Sequence, residues 1–123
     1  MAGKLKKILI AEDEASIARA LELKLTKLGY EVTLANNGEV TLQLLKQKDF
    51  NLLLLDLIMP ILDGFGVLEA MQAEKIKVPV LVCSNLGQDE DIKKAKALGA
   101  SDYIIKSDTP ISQIVQRIEK IIK

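Results

Sequence analysis

Four consecutive leucines followed at once by an aspartate constrain the fold of this chain more than any other feature. The run is Leu52-Leu53-Leu54-Leu55-Asp56. A strand with one solvated face alternates apolar and polar residues, so an unbroken apolar run predicts burial on both faces. Such burial is typical of a central strand in a parallel sheet that has helices on either side. Asp56 would end this strand, where open α/β sheets bind ligands, although a lone aspartate there more often only caps a loop.

The other apolar segments alternate between strand-like and helix-like patterns along the chain. The predicted strands are residues 7–11, 30–35, 52–55, 78–83 and 102–105, and the predicted helices are residues 16–28, 39–48, 65–74, 89–98 and a last helix lined by isoleucines up to residue 122. Thr109 is predicted to cap that last helix, with Pro110 at its first position. Short connections and right-handed crossovers predict a single α/β domain over residues 1–123, a flavodoxin-like three-layer sandwich with strand order 2-1-3-4-5.

Composition excludes several classes of function. The 17 basic and 17 acidic side chains cancel, so no net charge favours nucleic acid or an anionic membrane. The chain has no apolar stretch of membrane-spanning length and no signal peptide pattern. It contains no histidine, which excludes histidine-ligated metals and histidine-based catalysis. Its single cysteine, Cys83, lies in an apolar run and is predicted to be a buried thiol in a reducing, cytoplasmic compartment.

Polar side chains follow four of the predicted strands, at the point where each strand ends. Glu12 and Asp13 end the first strand, Asp56 the third, Ser84 the fourth and Lys106 the fifth. Because the carboxyl ends of parallel strands share one edge of a sheet, these groups are expected to meet. Three carboxylates held close together repel one another, so either one is protonated or a cation lies among them, and Mg²⁺ or another hard divalent ion would meet that need.

The same groups have the chemistry that phosphoryl transfer needs. A carboxylate can attack a phosphoryl group to form an aspartyl phosphate. A divalent metal, a lysine ammonium and a hydroxyl can then balance the charge on the phosphoryl oxygens. The residues therefore indicate a phosphoryl acceptor with Asp13, Asp56, Ser84 and Lys106 in its site.

Over essentially its whole length the sequence resembles the receiver domain of bacterial two-component response regulators. The matching features are the Glu12-Asp13 pair, Asp56 within Asp-x-x-Met-Pro-x-x-Asp-Gly, Ser84, the Gly99-Ala100-x-Asp102-Tyr103 run and Lys106. The resemblance implies that Asp56 is the phosphorylated residue. It also implies that Asp13, Asp56 and the carbonyl of Ile58 bind Mg²⁺, with Glu12 acting directly or through water. Lys106 and Ser84 would hold phosphoryl oxygens, and Tyr103 would turn inward as Ser84 moves.

Three residues depart from the family's usual pattern. Ser107 stands where proline usually follows the lysine, Asn85 where a small residue usually follows the hydroxyl, and Ser84 itself where threonine is common. A non-proline cis peptide costs about 3 kcal/mol, so a trans bond is predicted between Lys106 and Ser107. Ile58 and Leu86, each two residues beyond a site residue, are predicted to overlook the approach of water and to slow dephosphorylation.

The resemblance implies a phosphorylation switch that performs self-catalysed phosphoryl transfer and dephosphorylation only, rather than an enzyme. A sensor histidine kinase, a phosphotransfer protein or a small acyl phosphate would supply the phosphoryl group. Phosphorylation would change the surface of helix 4, strand 5 and helix 5, through which the protein would act as a monomer or weak dimer. The chain is predicted to be a receiver without an effector domain, so that a downstream protein would carry the output, unless the sequence is an excised fragment; neither direct nucleic acid binding nor a membrane is expected.

Three other functions fit parts of the sequence. A degenerate receiver, acting as a phosphorylation-independent scaffold for other proteins, would share the whole pattern. A phosphatase with an aspartyl nucleophile commonly has a second aspartate two residues on, where this chain has Ile58. A flavin carrier would need a glycine- and hydroxyl-rich loop after the first strand, where this chain has acids that would repel phosphate.

Overall fold

The computed structural model describes residues 5–122. Residues 1–4 and 123, which the sequence prediction included in the domain, lie outside the described residues. The strands are β1 Lys7–Ala11, β2 Glu31–Ala35, β3 Leu52–Leu55, β4 Val80–Ser84 and β5 Asp102–Ile105. The helices are α1 Ala15–Lys27, α2 Gly38–Gln47, α3 Gly64–Ala73, α4 Asp89–Ala97 and α5 Ile111–Ile122, with a 3₁₀ turn at Lys106–Asp108.

The five strands form one parallel sheet in the order β2-β1-β3-β4-β5. This confirms the predicted topology, including the switch point between β1 and β3. Because the chain reverses its direction of winding there, the loops after β1 and β3 diverge and leave a crevice between them. The crevice lies at the carboxyl ends of the strands.

Helices cover both faces of the sheet, as the leucine run predicted. Leu53 and Leu55 pack on the side of α2, α3 and α4, whereas Leu52 and Leu54 pack on the side of α1 and α5. All four leucines are buried. Successive side chains of a strand point to opposite faces, so a strand needs apolar residues at every position only when both faces are covered.

Side-chain caps fix the start of two helices near the crevice. The Asn37 carboxamide oxygen accepts a hydrogen bond from Val40 N at 2.8 Å, and Asp63 Oδ1 accepts one from Gly66 N at 2.8 Å. Each cap satisfies a backbone donor that the first turn of a helix leaves without a partner. The Asp63 cap therefore sets where the loop after β3 ends.

The structure moves most predicted helix ends and two strand ends by one residue, and it corrects two element starts that lie next to prolines. β4 begins at Val80 rather than at residue 78, because proline at position 79 has no N–H to donate to the ladder. The last helix begins at Ile111, and Pro110 precedes it with its carbonyl accepting from Ile114 N at 3.2 Å. Thr109 does not act as the predicted cap: among residues 5–122 its hydroxyl accepts no bond from the helix and instead donates to the Ile105 carbonyl at 2.9 Å.

Two smaller predictions are confirmed within residues 5–122. No peptide bond there is cis, so the bond between Lys106 and Ser107 is trans. Cys83 is a buried free thiol, and burial raises its pKa to about 12. None of the described helices is long and apolar enough to cross a membrane.

Candidate functional site

The site lies at the carboxyl edge of the sheet, where β1, β3 and β5 bring polar side chains into contact. Glu12, Asp56 and Lys106 are buried there, with 6%, 4% and 9% of their surface exposed, and Asp13 is exposed. The Glu12 N–H donates to the Ala35 carbonyl of β2, and the Asp56 N–H donates to the Ala11 carbonyl of β1. These bonds extend the ladder past the assigned strands and hold both acids in place.

Lys106 lies among carboxylates. Its Nζ lies 2.8 Å from Glu12 Oε1, 3.0 Å from Asp56 Oδ2 and 3.3 Å from Glu14 Oε1. Burial alone would lower the pKa of Lys106, but its hydrogen bonds to Glu12 and Asp56 outweigh that effect and raise it. Lys106 therefore stays protonated and keeps a positive charge beside the Asp56 carboxylate.

The carboxylates outnumber this single ammonium. Glu12, Asp13 and Asp56 each offer an oxygen within 4.8 Å of the others, and Glu14 adds a fourth acid. Burial, together with the charge of Asp56, raises the pKa of Glu12 despite its hydrogen bond to Lys106. A surplus of negative charge on hard oxygen ligands fits a divalent cation, so the donor set is suited to one.

A cavity of about 220 Å³ opens directly on these groups. Its walls are formed by Asp13, Glu14, Asp56, Ile58, Asn85 and Lys106. Asp56 Oδ1 accepts a hydrogen bond from Ile58 N at 3.1 Å, which fixes the carboxylate with respect to its own loop. A larger cavity of about 670 Å³ lies between α1 and β2; it is lined by Glu12 and Asp13, of which only Asp13 also lines the small cavity, and neither Asp56 nor Lys106 lines it.

Ser84 and Tyr103 connect the edge of the site to the loop between β4 and α4. Ser84 is fully buried, and its Oγ accepts a long hydrogen bond, 3.4 Å, from Leu86 N. The Tyr103 hydroxyl donates to the Leu86 carbonyl, so this side chain is turned inward. Burial raises the pKa of Tyr103 to about 12, helped by the charges of Asp91 and Asp56.

Ile58 and Leu86 differ in position, although the sequence predicts the same role for both. Ile58 is half exposed and lines the small cavity. Leu86 is partly buried and packs against the core on the α2, α3 and α4 side. Ile58 alone of the two therefore borders the cavity beside Asp56.

A sequence model of the family described as "Response regulator receiver domain" matches residues 8–119. The chain is a response regulator receiver domain. The observed strand order and the match together confirm the resemblance noted from the sequence, and place the protein in two-component signalling.

Curated relatives of this receiver domain are about twice its length. A "Probable transcriptional regulator ycf27" of Porphyra purpurea is 39% identical over 98% of this chain and 52% of its own. The "Cell cycle response regulator CtrA" of Brucella ovis is 32% identical over 95% of this chain and 50% of its own. The receiver domain thus spans about half the length of these relatives.

Solved receiver structures have the same fold. The receiver domain of the Francisella response regulator 1452 superposes with a TM-score of 0.88 at 28% identity, covering 94% of this chain and 95% of that one. The response regulator TrrA of Thermotoga maritima, solved in complex with Mg²⁺-BeF, gives a TM-score of 0.83 at 26% identity, covering 95% and 99%.

Two side chains of this receiver domain join the site although the sequence did not place them there. Glu14 reaches Lys106 from the start of α1, and Asn85 lines the cavity from the loop after β4. The acidic run Glu12-Asp13-Glu14 is a sequence signal for Glu14, but the path of the loop decides which of these acids turn inward. For Asn85 the sequence offers no signal beyond its departure from the family pattern.

Proposed function

We propose that this receiver domain accepts a phosphoryl group on Asp56 from a partner's phosphohistidine or from a small acyl phosphate. The observation that carries the proposal is the Lys106 ammonium, 3.0 Å from Asp56 Oδ2 in a carboxylate cluster that opens on a cavity. A sensor histidine kinase or a phosphotransfer protein is the proposed donor. The solved complex of TrrA with Mg²⁺-BeF supports Mg²⁺ as the cation.

The proposed reaction requires little covalent chemistry from the protein. An Asp56 oxygen forms a bond to phosphorus while the bond from phosphorus to the donor's nitrogen or oxygen breaks. The electron pair of the broken bond leaves with the donor, as histidine that takes up a proton or as a carboxylate. Lys106 offsets the negative charge of the carboxylates, which would otherwise repel the phosphoryl oxygens.

Glu12, Asp13, Asp56 and the Ile58 carbonyl are the proposed holders of a divalent cation. When bound, the cation would neutralise the acids and the incoming phosphoryl oxygens. The three carboxylates supply the close oxygen atoms that such an ion requires. Asp13 is the exposed member of the set, so it can bind a hydrated ion with little rearrangement.

Phosphorylation is proposed to act outward through the loop after β4. The Ser84 hydroxyl, whose oxygen accepts the long bond from Leu86 N, would move to donate to a phosphoryl oxygen, and the Leu86 carbonyl accepts from the Tyr103 hydroxyl. That loop leads into α4, in which Ala95 is the one fully buried residue. Because α4 is lightly packed, a shift of the loop can change the surface of α4, β5 and α5, where a downstream protein would bind.

The proposed activity is self-catalysed phosphoryl transfer and hydrolysis, without turnover of an external substrate. The test is intact-mass measurement after incubation with acetyl phosphate and Mg²⁺. We expect one phosphoryl group per chain, labile to hydroxylamine as an acyl phosphate is. Asp56→Asn should abolish it, whereas Asp49→Asn, an exposed aspartate near the opposite edge of the sheet, should not.

The metal site is tested with the same control. Asp13→Asn should weaken Mg²⁺ binding and slow phosphorylation, and Asp49→Asn should leave both unchanged. Equal Mg²⁺ affinity in wild type and Asp13→Asn would contradict the site. A wild type that stays unphosphorylated but still binds a partner protein would support the degenerate scaffold instead.

A further inference from the structure

Asn85 and Ser107, two of the residues that depart from the usual receiver pattern, are hydrogen-bonded to each other. The backbone N–H of Ser107 donates to Asn85 Oδ1 at 2.9 Å. A proline at position 107 would have no N–H to donate, and a glycine or alanine at position 85 would have no side-chain acceptor. Each departure therefore supplies what the other needs, and neither alone could form this bond.

The bond joins the chain neighbours of two proposed site residues. Asn85 follows Ser84 and Ser107 follows Lys106. The β4–β5 ladder ends one step earlier, with Ser84 paired to Ile105. The Asn85–Ser107 bond thus continues the connection between the two segments beyond the end of the sheet, at the edge of the cavity.

The 3₁₀ turn explains why this contact matters for Lys106. Within the turn the Lys106 carbonyl accepts from Thr109 N, and the Ile105 carbonyl accepts from the Thr109 hydroxyl. The first N–H groups of a helical turn have no partner inside it, and Ser107 N–H is one of them. Asn85 caps it from another loop. Because the peptide group is planar, holding Ser107 N–H also fixes the backbone on which the Lys106 side chain is mounted.

We infer that Asn85 is a positioning residue: through Ser107 N–H it holds the turn that carries Lys106 against the loop that carries Ser84. This inference rests on the proposed phosphorylation of Asp56 and adds a means by which the two phosphoryl-binding residues keep one relative position. We call the hydrogen bond from Ser107 N to Asn85 Oδ1 the tether. The tether supports Lys106 in a chain that lacks the proline that usually follows this lysine.

The tether is tested first by its effect on rate. Asn85→Ala should slow phosphorylation at saturating acetyl phosphate about fivefold, the effect of losing one ordinary hydrogen bond. Mg²⁺ affinity should stay at the wild-type value, because Asn85 contributes no carboxylate. Ser107→Ala is the matched control, since it removes the hydroxyl but keeps the N–H, and it should react at the wild-type rate.

A double-mutant cycle separates the bond from side effects of proline. Ser107→Pro changes the backbone near Lys106 in any background, but it can break the tether only where Asn85 is present. It should therefore slow the reaction less in Asn85→Ala than in wild type. Hydrogen exchange of the Ser107 amide gives an independent measurement, with protection in wild type that is lost in Asn85→Ala.

The outcomes distinguish the two proposals. An unphosphorylated wild type would reject the proposed function and, with it, the role of the tether. A wild type and an Asn85→Ala variant that react equally fast would reject the tether alone, as would additive effects in the cycle. A slowed Asn85→Ala, a normal Ser107→Ala and a non-additive cycle together would establish it.

Discussion

The two loops on either side of the site are held in different ways. The loop after β3 is fixed by hydrogen bonds between residues close in sequence: Gly64 N donates to the Leu57 carbonyl at 3.0 Å, and Gly66 N donates to Asp63 Oδ1. The loop after β4 is held by residues distant in sequence. Ser107 N donates to the Asn85 side chain, and the Tyr103 hydroxyl donates to the Leu86 carbonyl. The loop after β3 can thus present Asp56 independently of distant segments, whereas the position of the loop after β4 depends on β5 and on the turn that follows it.

Glycine substitutions should show this contrast most strongly. A Cβ at Gly64 would lie 2.5 Å from the Asp56 carbonyl oxygen and 2.7 Å from Leu57 Cα, both backbone atoms. We expect Gly64→Ala to lower the free energy of unfolding by about 3 kcal/mol and to disturb Asp56. A Cβ at Gly87, in the other loop, would meet only the flexible end of Ile105 at 2.9 Å.

Gly87→Ala is the matched variant and should lower the free energy of unfolding by under about 1 kcal/mol, since the end of the Ile105 side chain can move aside. Urea denaturation of both variants measures the difference. Equal losses of stability would mean that the loop after β3 is no more rigid than the loop after β4.

The lifetime of the phosphorylated state should depend on the loop after β3 more than on the loop after β4. Ile58 borders the cavity and cannot orient a water molecule, so Ile58→Asn should speed hydrolysis up to about tenfold, equivalent to about 1.4 kcal/mol of barrier. Leu86 is partly buried against the core and does not line the cavity, so Leu86→Glu should lower the free energy of unfolding and leave the hydrolysis rate near that of wild type. The decay of the acyl phosphate, followed with Mg²⁺ present, measures the hydrolysis rate of both variants. Faster decay only in Leu86→Glu would mean that the loop after β4, and not the loop after β3, sets the lifetime.

Backbone strain in the loop after β3 should have a smaller effect, on the free energy of unfolding. Ile61 has φ +72°, a left-handed conformation that is costly for a β-branched residue, and 75% of its surface is exposed. Ile61→Asn should therefore raise the free energy of unfolding by about 1 kcal/mol, because asparagine tolerates this conformation and little burial is lost. Ile58→Asn, in the same loop and also well exposed, is the control and should change stability by less than about 0.5 kcal/mol. Equal stability gains in the two variants, or no gain in Ile61→Asn, would show that φ at Ile61 does not cause the effect.

The sequence could predict those parts of the molecule that depend on local patterns or on strand order. Burial of Leu52 to Leu55 on both faces followed from the missing alternation, and the meeting of Glu12, Asp13, Asp56 and Lys106 followed from the shared edge of parallel strands. The reach of Glu14 to Lys106 was not predictable, because it depends on the path of one loop. The Asn85–Ser107 bond depends on the relative position of two loops 22 residues apart, which no local pattern encodes.

An effect of similar size tests the loop after β4 through Tyr103. Removing its hydroxyl in Tyr103→Phe deletes the bond to the Leu86 carbonyl, which should lower the free energy of unfolding by about 1 kcal/mol near neutral pH. Tyr30→Phe, at the only other tyrosine, is the matched variant and should cost less. Burial raises the pKa of Tyr103 from 10 to about 12, so the folded state disfavours the ionised phenol.

The sign of the pH dependence follows from that shift. A group whose pKa is higher in the folded state stabilises the protein below its unfolded pKa and loses that contribution as pH rises through the folded value. The advantage of wild type over Tyr103→Phe should therefore be constant from pH 6 to 9 and shrink between pH 10 and about 12. Urea denaturation across this range measures it. An advantage that grew with pH would show that Tyr103 ionises readily in the folded protein, and that its hydroxyl does not hold the loop after β4 in place.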